Sequence, residues 1–218
     1  LTTVLNNLGN FYVRQADRYQ FQAEAAAQEG EQVQATDLTD RENEAISQAN
    51  QAYEQSWQAS QTIGGLVEAT TLLNWNRILM RSNPANQQAA SNRFRVEQLL
   101  VDVPNSSAKA FALINLAAQL TPLERTDQPQ PQLLSDLDWQ HSQALLNQAL
   151  QVAQAIKDLR AESFARGSLG RLEEAAGRYQ EAIQFTQQAL LSAQQISAFD
   201  SLYRWQWQNG RILKTVGD

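Results

Sequence analysis

The stretch RAESFARGSLGRLEEAAGRYQEAIQFTQQALLSAQQI, residues 160 to 196, constrains this chain more than any other feature. Apolar and small residues recur three and four apart on both sides of a break at Ala176-Gly177, so the spacing predicts two helices folded back as one hairpin. Leu169 is followed at once by Gly170, a large knob beside a position without a side chain, which lets the second helix come close. In that second helix Ala182, Thr186 and Ala189 keep one face small at +4 and +7. An amphipathic hairpin of this kind cannot bury its face alone and must stack on others.

Copies of the pattern follow. Leu169-Gly170 with Gly177, Tyr179 and Ala182 has the spacing of the tetratricopeptide signature. A large residue, another at +3, a short one at +4 and a large one at +7 recur as Leu5, Leu8, Gly9, Tyr12 and as Leu113, Leu116, Ala117, Leu120. Looser copies are Leu72, Trp75, Asn76, Leu79 and Asn209, Gly210, Leu213, with Gly217 at the turn position. The short positions 9, 76, 117, 170 and 210 are spaced by 67, 41, 53 and 40 residues, against a minimal unit of about 34, so the units carry uneven insertions. Matching second helices are expected around Ala49, Tyr53, Ser56, around Ala90, Phe94, Glu97 and around Ser142, Leu146, Ala149.

The expected fold is therefore all-α: a right-handed superhelical solenoid of antiparallel helix hairpins, about nine helices in one repeat domain over 1–218. Its units fall near 1–62, 66–102, 106–157 and 160–197, followed by an orphan first helix at 200–216. The long first hairpin runs through Ala25 to Ala27 and returns from Thr39, where Thr39 and Glu42 fit a capping box. Ser135 with Asp138 opens a helix in the same way, and Asn83-Pro84 reads as a cap followed by a first helical position. Residues Thr121 to Leu134, with Pro122, Pro129 and Pro131, form the longest expected loop.

Composition narrows function by exclusion. A hydrophobic fraction of 43% with only 9 Gly and 5 Pro suits helices better than a turn-rich sandwich. The formal charge of −6, without a cluster of Lys and Arg, argues against nucleic-acid binding. With no Cys and a single His141, neither a thiol nucleophile nor a multi-histidine metal site is available. Glu29 to Glu31 and Asp40 to Glu44 lack the alternation of a calcium loop. No apolar run of membrane-spanning length and no leader occur, and no phosphate loop, nucleophile elbow or carboxylate cleft is present. The chain reads as a soluble, cytoplasmic piece of a longer protein, without cofactor and not itself an enzyme.

The array resembles the tetratricopeptide region of cyanobacterial proteins that carry a C-terminal CHAT domain, a caspase-like domain associated with such repeats. The blocks that carry the resemblance are LNNLGN at 5–10, VPNSSAKAFALINLAA at 103–118, RAESFARGSLG at 160–170 and SLYRWQWQNGRILKTVGD at 201–218. Glu173 departs from it, since a large apolar residue usually stands there, and weaker packing of that unit is expected. The resemblance implies a downstream protease domain with a His and Cys dyad. No catalytic residue transfers to this chain, only the scaffold role.

Two positions before each short residue stand Asn7, Asn74, Asn115, Ser168 and Gln208; one position after stand Asn10, Arg77, Ala118, Arg171 and Arg211. Read as first helices lining a concave face, these make an amide ladder beside a row of guanidinium groups, with Arg204 and Lys214 nearby. The amides suit a bound peptide backbone, and the arginines suit an acidic or carboxylate-ended segment. The alternative is that the same side chains bridge neighbouring helices or pair with surface Glu. Trp205 and Trp207, two apart, point to different sides of one helix, so at most one belongs to this core, unless both are core residues of the complete protein under a following second helix. The competing class of function is a self-assembly module acting through its terminal helices.

Overall fold

The computed structural model describes residues 1–121 and 135–217. The expected loop from Thr121 to Leu134 lies, apart from Thr121, outside the described residues. Within them there are nine helices and no strand: α1 Thr2–Gln28, α2 Gln32–Ser60, α3 Gly65–Ser82, α4 Gln87–Val101, α5 Ser107–Leu120, α6 Asp136–Ala155, α7 Leu159–Ala175, α8 Tyr179–Gln195 and α9 Phe199–Gly217. They form two compact units, Leu1–Asp102 and Val103–Asp218.

In the first unit α1 and α2 pack along a seam of small residues. Val13, Ala16, Ala23 and Ala26 of α1 are buried, as are Ala35, Ala45, Ala49 and Ala52 of α2, and such side chains let two helix axes come near the lower limit of about 8 Å. At one end Tyr53 fills the space over Gly9, where an added Cβ would lie 2.5 Å from the ring. Ser56 Oγ donates to Thr2 O across the pair, so α2 runs antiparallel to α1. α3 then runs parallel to α1, because Asn74 bonds to Asn6 and Arg81 to Asp17.

The expected start of α2 at Thr39 is wrong by about two turns. The chain reverses at Gly30 (φ 82°), and Glu31 N donates back to Ala26 O at 2.9 Å, the six-to-one bond of a Schellman turn. Thr39 lies inside the helix, its hydroxyl donating to Ala35 O, and Glu42 serves an ion pair with Arg81. The expected cap at Asn83-Pro84 also moves. Asn83 ends α3, and Asn86 caps α4 by accepting from Ala89 N at 3.0 Å. The buried face of α4 is Ala89, Asn92, Val96 and Leu100, not Ala90, Phe94 and Glu97; Phe94 is 65% exposed.

The second unit shows the hairpin in its clearest form. The helices of α6–α7, α7–α8 and α8–α9 are joined by one kind of turn, with positive φ at Lys157, Gly177 and Ser197. Asp158, Arg178 and Ala198 each donate an amide to the carbonyl five residues back. Ser142, Leu146 and Ala149 of α6 and Ala182, Thr186 and Ala189 of α8 are buried as the spacing predicts. Ser135 caps α6 by accepting from Asp138 N.

α7 is the hub. Gly170 faces Thr186 Oγ1 and Ala182 O, 2.5 and 3.0 Å from where its Cβ would be, and the indole of Trp205 lies directly on Gly167. Arg160 with Asp200, Ser163 with Trp205 and Gly167 with Gln208 bond at separations of 40, 42 and 41 residues. α9 therefore runs parallel to α7, one near-constant offset along the chain. The last sequence copy is displaced: α9 buries Ser201, Trp205, Gln208 and Ile212, while Gly210 and Leu213 face outward. Trp205 is 3% exposed and Trp207 56%.

Two outcomes test this packing. Gly170→Leu should lower unfolding stability by about 1–3 kcal/mol through overpacking against Thr186 and the Ala182 carbonyl. Gly210→Ala, in open space on α9, should raise it in dilute solution by about 0.5–1 kcal/mol, the propensity difference in a helix interior. Denaturant melts of the pair decide; equal responses would mean that Gly170 is not at a helix contact.

Asp158 supplies the second test. It caps α7 by accepting from Ala161 N at 3.0 Å. Burial alone would raise its pKa, but hydrogen bonds from Ser107 and the Ala161 and Arg160 amides, with the Arg160 charge, hold the carboxyl below its usual 3.8. A depressed folded pKa contributes stability that is full above the unfolded value and lost as pH falls through the folded one. Acid titration of stability should therefore steepen below about pH 4, and Asp158→Asn, which still caps, should remove that portion of the slope.

Candidate functional site

The ladder residues divide between the two units. In the first, Asn7 is exposed on α1, Arg77 is exposed on α3, and Asn10 and Asn74 are half-buried. Their amides are engaged within the fold: Tyr53 Oη donates to Asn10 Oδ1 at 2.9 Å, and Asn74 Nδ2 donates to Asn6 Oδ1 at 3.2 Å. Burial pushes the Tyr53 phenol up to about 12, with the nearby Arg77 charge acting in the opposite sense. Asn10, Tyr53 and Arg77 are thus brought together on the faces of α1, α2 and α3. Asn76, the short residue of the looser copy, is fully buried, donating to Ala89 O and accepting from Asn92.

In the second unit Asn115 is exposed on α5 and Arg171 half-buried on α7. Arg204 is exposed, its guanidinium 5.3 Å from the Phe164 ring centroid and 5.7 Å from that of Trp205. Two expected groove residues are not groove residues. Gln208 is 3% exposed and donates to Gly167 O at 3.0 Å and to Thr186 Oγ1 at 2.8 Å. Arg211 grips the buried Glu174 through two bonds, Nε to Oε1 at 2.8 Å and an Nη2 bond to Oε2 at 2.6 Å. The carboxylate it meets is internal, because α9 turns this face toward α7 instead of outward.

Sequence reasoning passed over Glu68 and Glu174 and read Glu173 only as a weak point in packing; all three are buried acids that receive arginines. Arg95 holds Glu68 through two bonds of 3.1 and 3.2 Å, and these bonds with the Glu68 charge raise the Arg95 pKa further above its ordinary value. Arg178 pairs with Glu173 while stacking 3.9 Å over Trp139, and Gln143 donates to the same carboxylate. The expected weakness at Glu173 is therefore compensated by a charged, hydrogen-bonded network. An aromatic row was also missed: Phe111, Phe164 and Trp205 meet edge to face at 5.5 and 5.7 Å across α5, α7 and α9. Its signal was present, since each aromatic stands five or six residues before the short position of its copy.

One concavity stands apart from the ladder. α1 and α2, at 27 and 29 residues, are far longer than α3 and α4 at 18 and 15. Between the distal halves of α1 and α2 lies an open cleft of about 430 Å³ with an alanine floor, Ala23, Ala27 and Ala35, and acidic walls, Glu24, Asp40 and Glu42. Arg81 closes one end by bonding to Asp17, Gln20 and Glu42. Among the described residues no three His, Cys, Asp or Glu side chains gather as metal ligands, and no helix is long and apolar enough to cross a membrane. No family model matches the chain, and no curated protein matches it.

The Arg211 pair yields a direct test. Removing one partner of a buried ion pair leaves the other charge uncompensated, at a cost of about 3–5 kcal/mol; Arg211 retains 18% side-chain exposure and Glu174 only 2%, which puts the expectation near the lower end. Arg211→Ala should lower the unfolding midpoint markedly, and replacing both residues by Leu should recover most of the loss. An unchanged midpoint in Arg211→Ala would return this residue to a ligand-facing role.

Proposed function

We propose that the chain is a non-enzymatic, tetratricopeptide-type solenoid segment that holds part of another protein. The observation that carries this reading is the near-constant offset of 40 to 42 residues between bonded positions of α7 and α9. A hairpin whose first helix stacks parallel on the next first helix is the unit from which helical solenoids are built, and such stacks present extended binding surfaces. The resemblance in the repeat blocks extends the proposal to a parent protein in which this array serves a downstream caspase-like CHAT domain.

The ligand is a peptide or protein segment. An acidic or carboxylate-ended ligand loses support with Arg211 committed to Glu174. In the first unit Glu24 and Asp40 of the cleft walls, with Glu42 already committed to Arg81, complement basic side chains, and its alanine floor accommodates the larger apolar residues of an amphipathic helix. Arg77, exposed beside Asn10 and Tyr53, is a ladder cation of that unit suited to a backbone carbonyl or carboxylate.

Selection from a randomised peptide library on the purified chain tests the proposal. Bound sequences should be enriched in Lys or Arg at helical spacing, and their affinity should fall with ionic strength. The double charge reversal Glu24→Lys with Asp40→Lys should reduce affinity at least about tenfold, or 1.4 kcal/mol, while leaving the circular dichroism spectrum unchanged. Failure to enrich any sequence would defeat the binding role, and enrichment that ignores the reversal would move the site elsewhere.

A further inference from the structure

The side of α9 opposite its buried residues carries a stripe of Phe199, Tyr203, Trp207, Gly210, Lys214 and Gly217, spaced three or four apart, with Leu213 on its flank. Phe199, Tyr203 and Trp207 are 79, 73 and 56% exposed. In this protein a glycine inside a helix usually marks a close approach. Tyr53 stands on Gly9, Trp205 on Gly167 and Thr186 on Gly170, each where a Cβ would be, whereas nothing lies within 4 Å of that position at Gly210 or Gly217.

Gly210 follows Gly170 by the same 40 residues as the Arg160 to Asp200 pair. On α7 that side is covered by Ala182, Thr186 and Ala189 of α8 and by Trp205 and Gln208 of α9. α9 does not repeat the surface that those residues fit. Tyr203 and Trp207 stand where α7 has Ser163 and Gly167, so neither a small-faced helix like α8 nor an indole like Trp205 would find on α9 the gap that α7 offers. The stripe has its bulk in the N-terminal half and its gaps in the C-terminal half.

We infer that this face pairs with a second copy of itself, α9 against α9, antiparallel about a two-fold axis near residues 208 and 209. That register sets each Trp207 over the partner's Gly210, Tyr203 beside the partner's Lys214 and Phe199 toward the partner's Gly217, so every ring meets a gap or a cation. Its charges also match. Asp200, whose Oδ2 accepts from Arg160 of its own copy, stands in the first turn and Lys214 in the last, and antiparallel pairing brings each Asp200 within a turn of the partner's Lys214. A two-fold contact requires one self-complementary patch, which this is. Three aromatics at about 150–250 Å² each, scaled by their exposure, give about 300–500 Å² per copy, and Leu213 with the flanks brings this to about 400–600 Å². A total of about 800–1,200 Å² lies at the small end of protein interfaces, consistent with a weak, reversible dimer. The inference goes beyond the scaffold reading and does not depend on the cleft.

Sedimentation equilibrium of the full 218-residue chain, from low micromolar to near-millimolar, tests the pairing. A reversible dimer that stops at two copies is expected. Gly210→Glu places its side chain in open space in the isolated chain, so helix content and melting should persist while the dissociation constant rises at least about tenfold. Because the chain has no Cys, single-thiol variants report register. Gly210→Cys should cross-link between copies, and Phe199→Cys should not, its two thiols lying about 28 Å apart along the paired helices. A monomer at every concentration overturns the inference. So does a dimer that ignores Gly210→Glu, or one lost with Phe11→Glu on the exposed Leu1, Val4, Leu8, Phe11 stripe of α1. Equal cross-linking at 199 would mean parallel pairing and overturn the register.

Discussion

Close approach of helices at positions without side chains governs the rest of the structure. At Gly167 and Gly170 the backbone of α7 is open, and Trp205, Thr186 and Gln208 enter from two other helices. Any Cβ there collides with a ring, a hydroxyl or a carbonyl, so side-chain size alone fixes which residues of three helices meet. The polar atoms that come in are then required to find partners. Trp205 Nε1 donates to Ser163 Oγ, which itself donates to Ala189 O, and Gln208 bonds to both Gly167 and Thr186. Dispersion supplies the attraction, and the hydrogen bonds restrict the helices to one register.

The buried acids act on the same level. A buried Glu–Arg pair adds little net stability over an apolar pair of equal volume, because desolvation offsets attraction. Its asymmetry is what matters: a register that separates Glu174 from Arg211, or Glu68 from Arg95, leaves a carboxylate with 2% side-chain exposure uncompensated. Mispaired hairpins are thereby penalised more than the native pairing is favoured. This use of arginine also explains why a row of arginines at repeat spacing is poor evidence for a ligand. A repeat protein needs recurring polar partners between its own units.

Legibility in the sequence followed side-chain size. Gly170 with Ala182, Thr186 and Ala189, and Tyr53 with Ala49 and Ser56, were readable because a glycine beside a large residue, or an alanine row at +4 and +7, has few other uses. The face of α4 was misread by one residue because Ala89 and Ala90 offer the same small side chain and only tertiary contact separates them. Thr39 and Glu42 satisfied a capping box by spacing, yet the same spacing occurs inside any helix, and the reversal was decided by Gly30. For the candidate site, the positions of Asn7, Asn10, Asn74 and Arg77 on first helices were legible. Gln208 and Arg211 were not, because the stripe that a parallel neighbour covers differs from the stripe that a return helix covers, and a one-dimensional pattern does not separate them.

Departures from the repeat therefore carry more functional information than the repeat itself. Positions that agree between copies are consumed in making helices meet, as Gly9 under Tyr53 and Gly170 under Thr186 show. The two places where the pattern is exceeded are the distal α1–α2 hairpin, which outruns α3 and α4, and the outer stripe of α9, where Tyr203 and Trp207 replace small residues. The outer stripe of α9 closes no helix contact within its unit, whereas the distal hairpin still buries Ala23, Ala26 and Ala35 along its own seam. An exposed aromatic stripe lowers solubility unless something meets it, whereas acidic side chains along a helix pair do not.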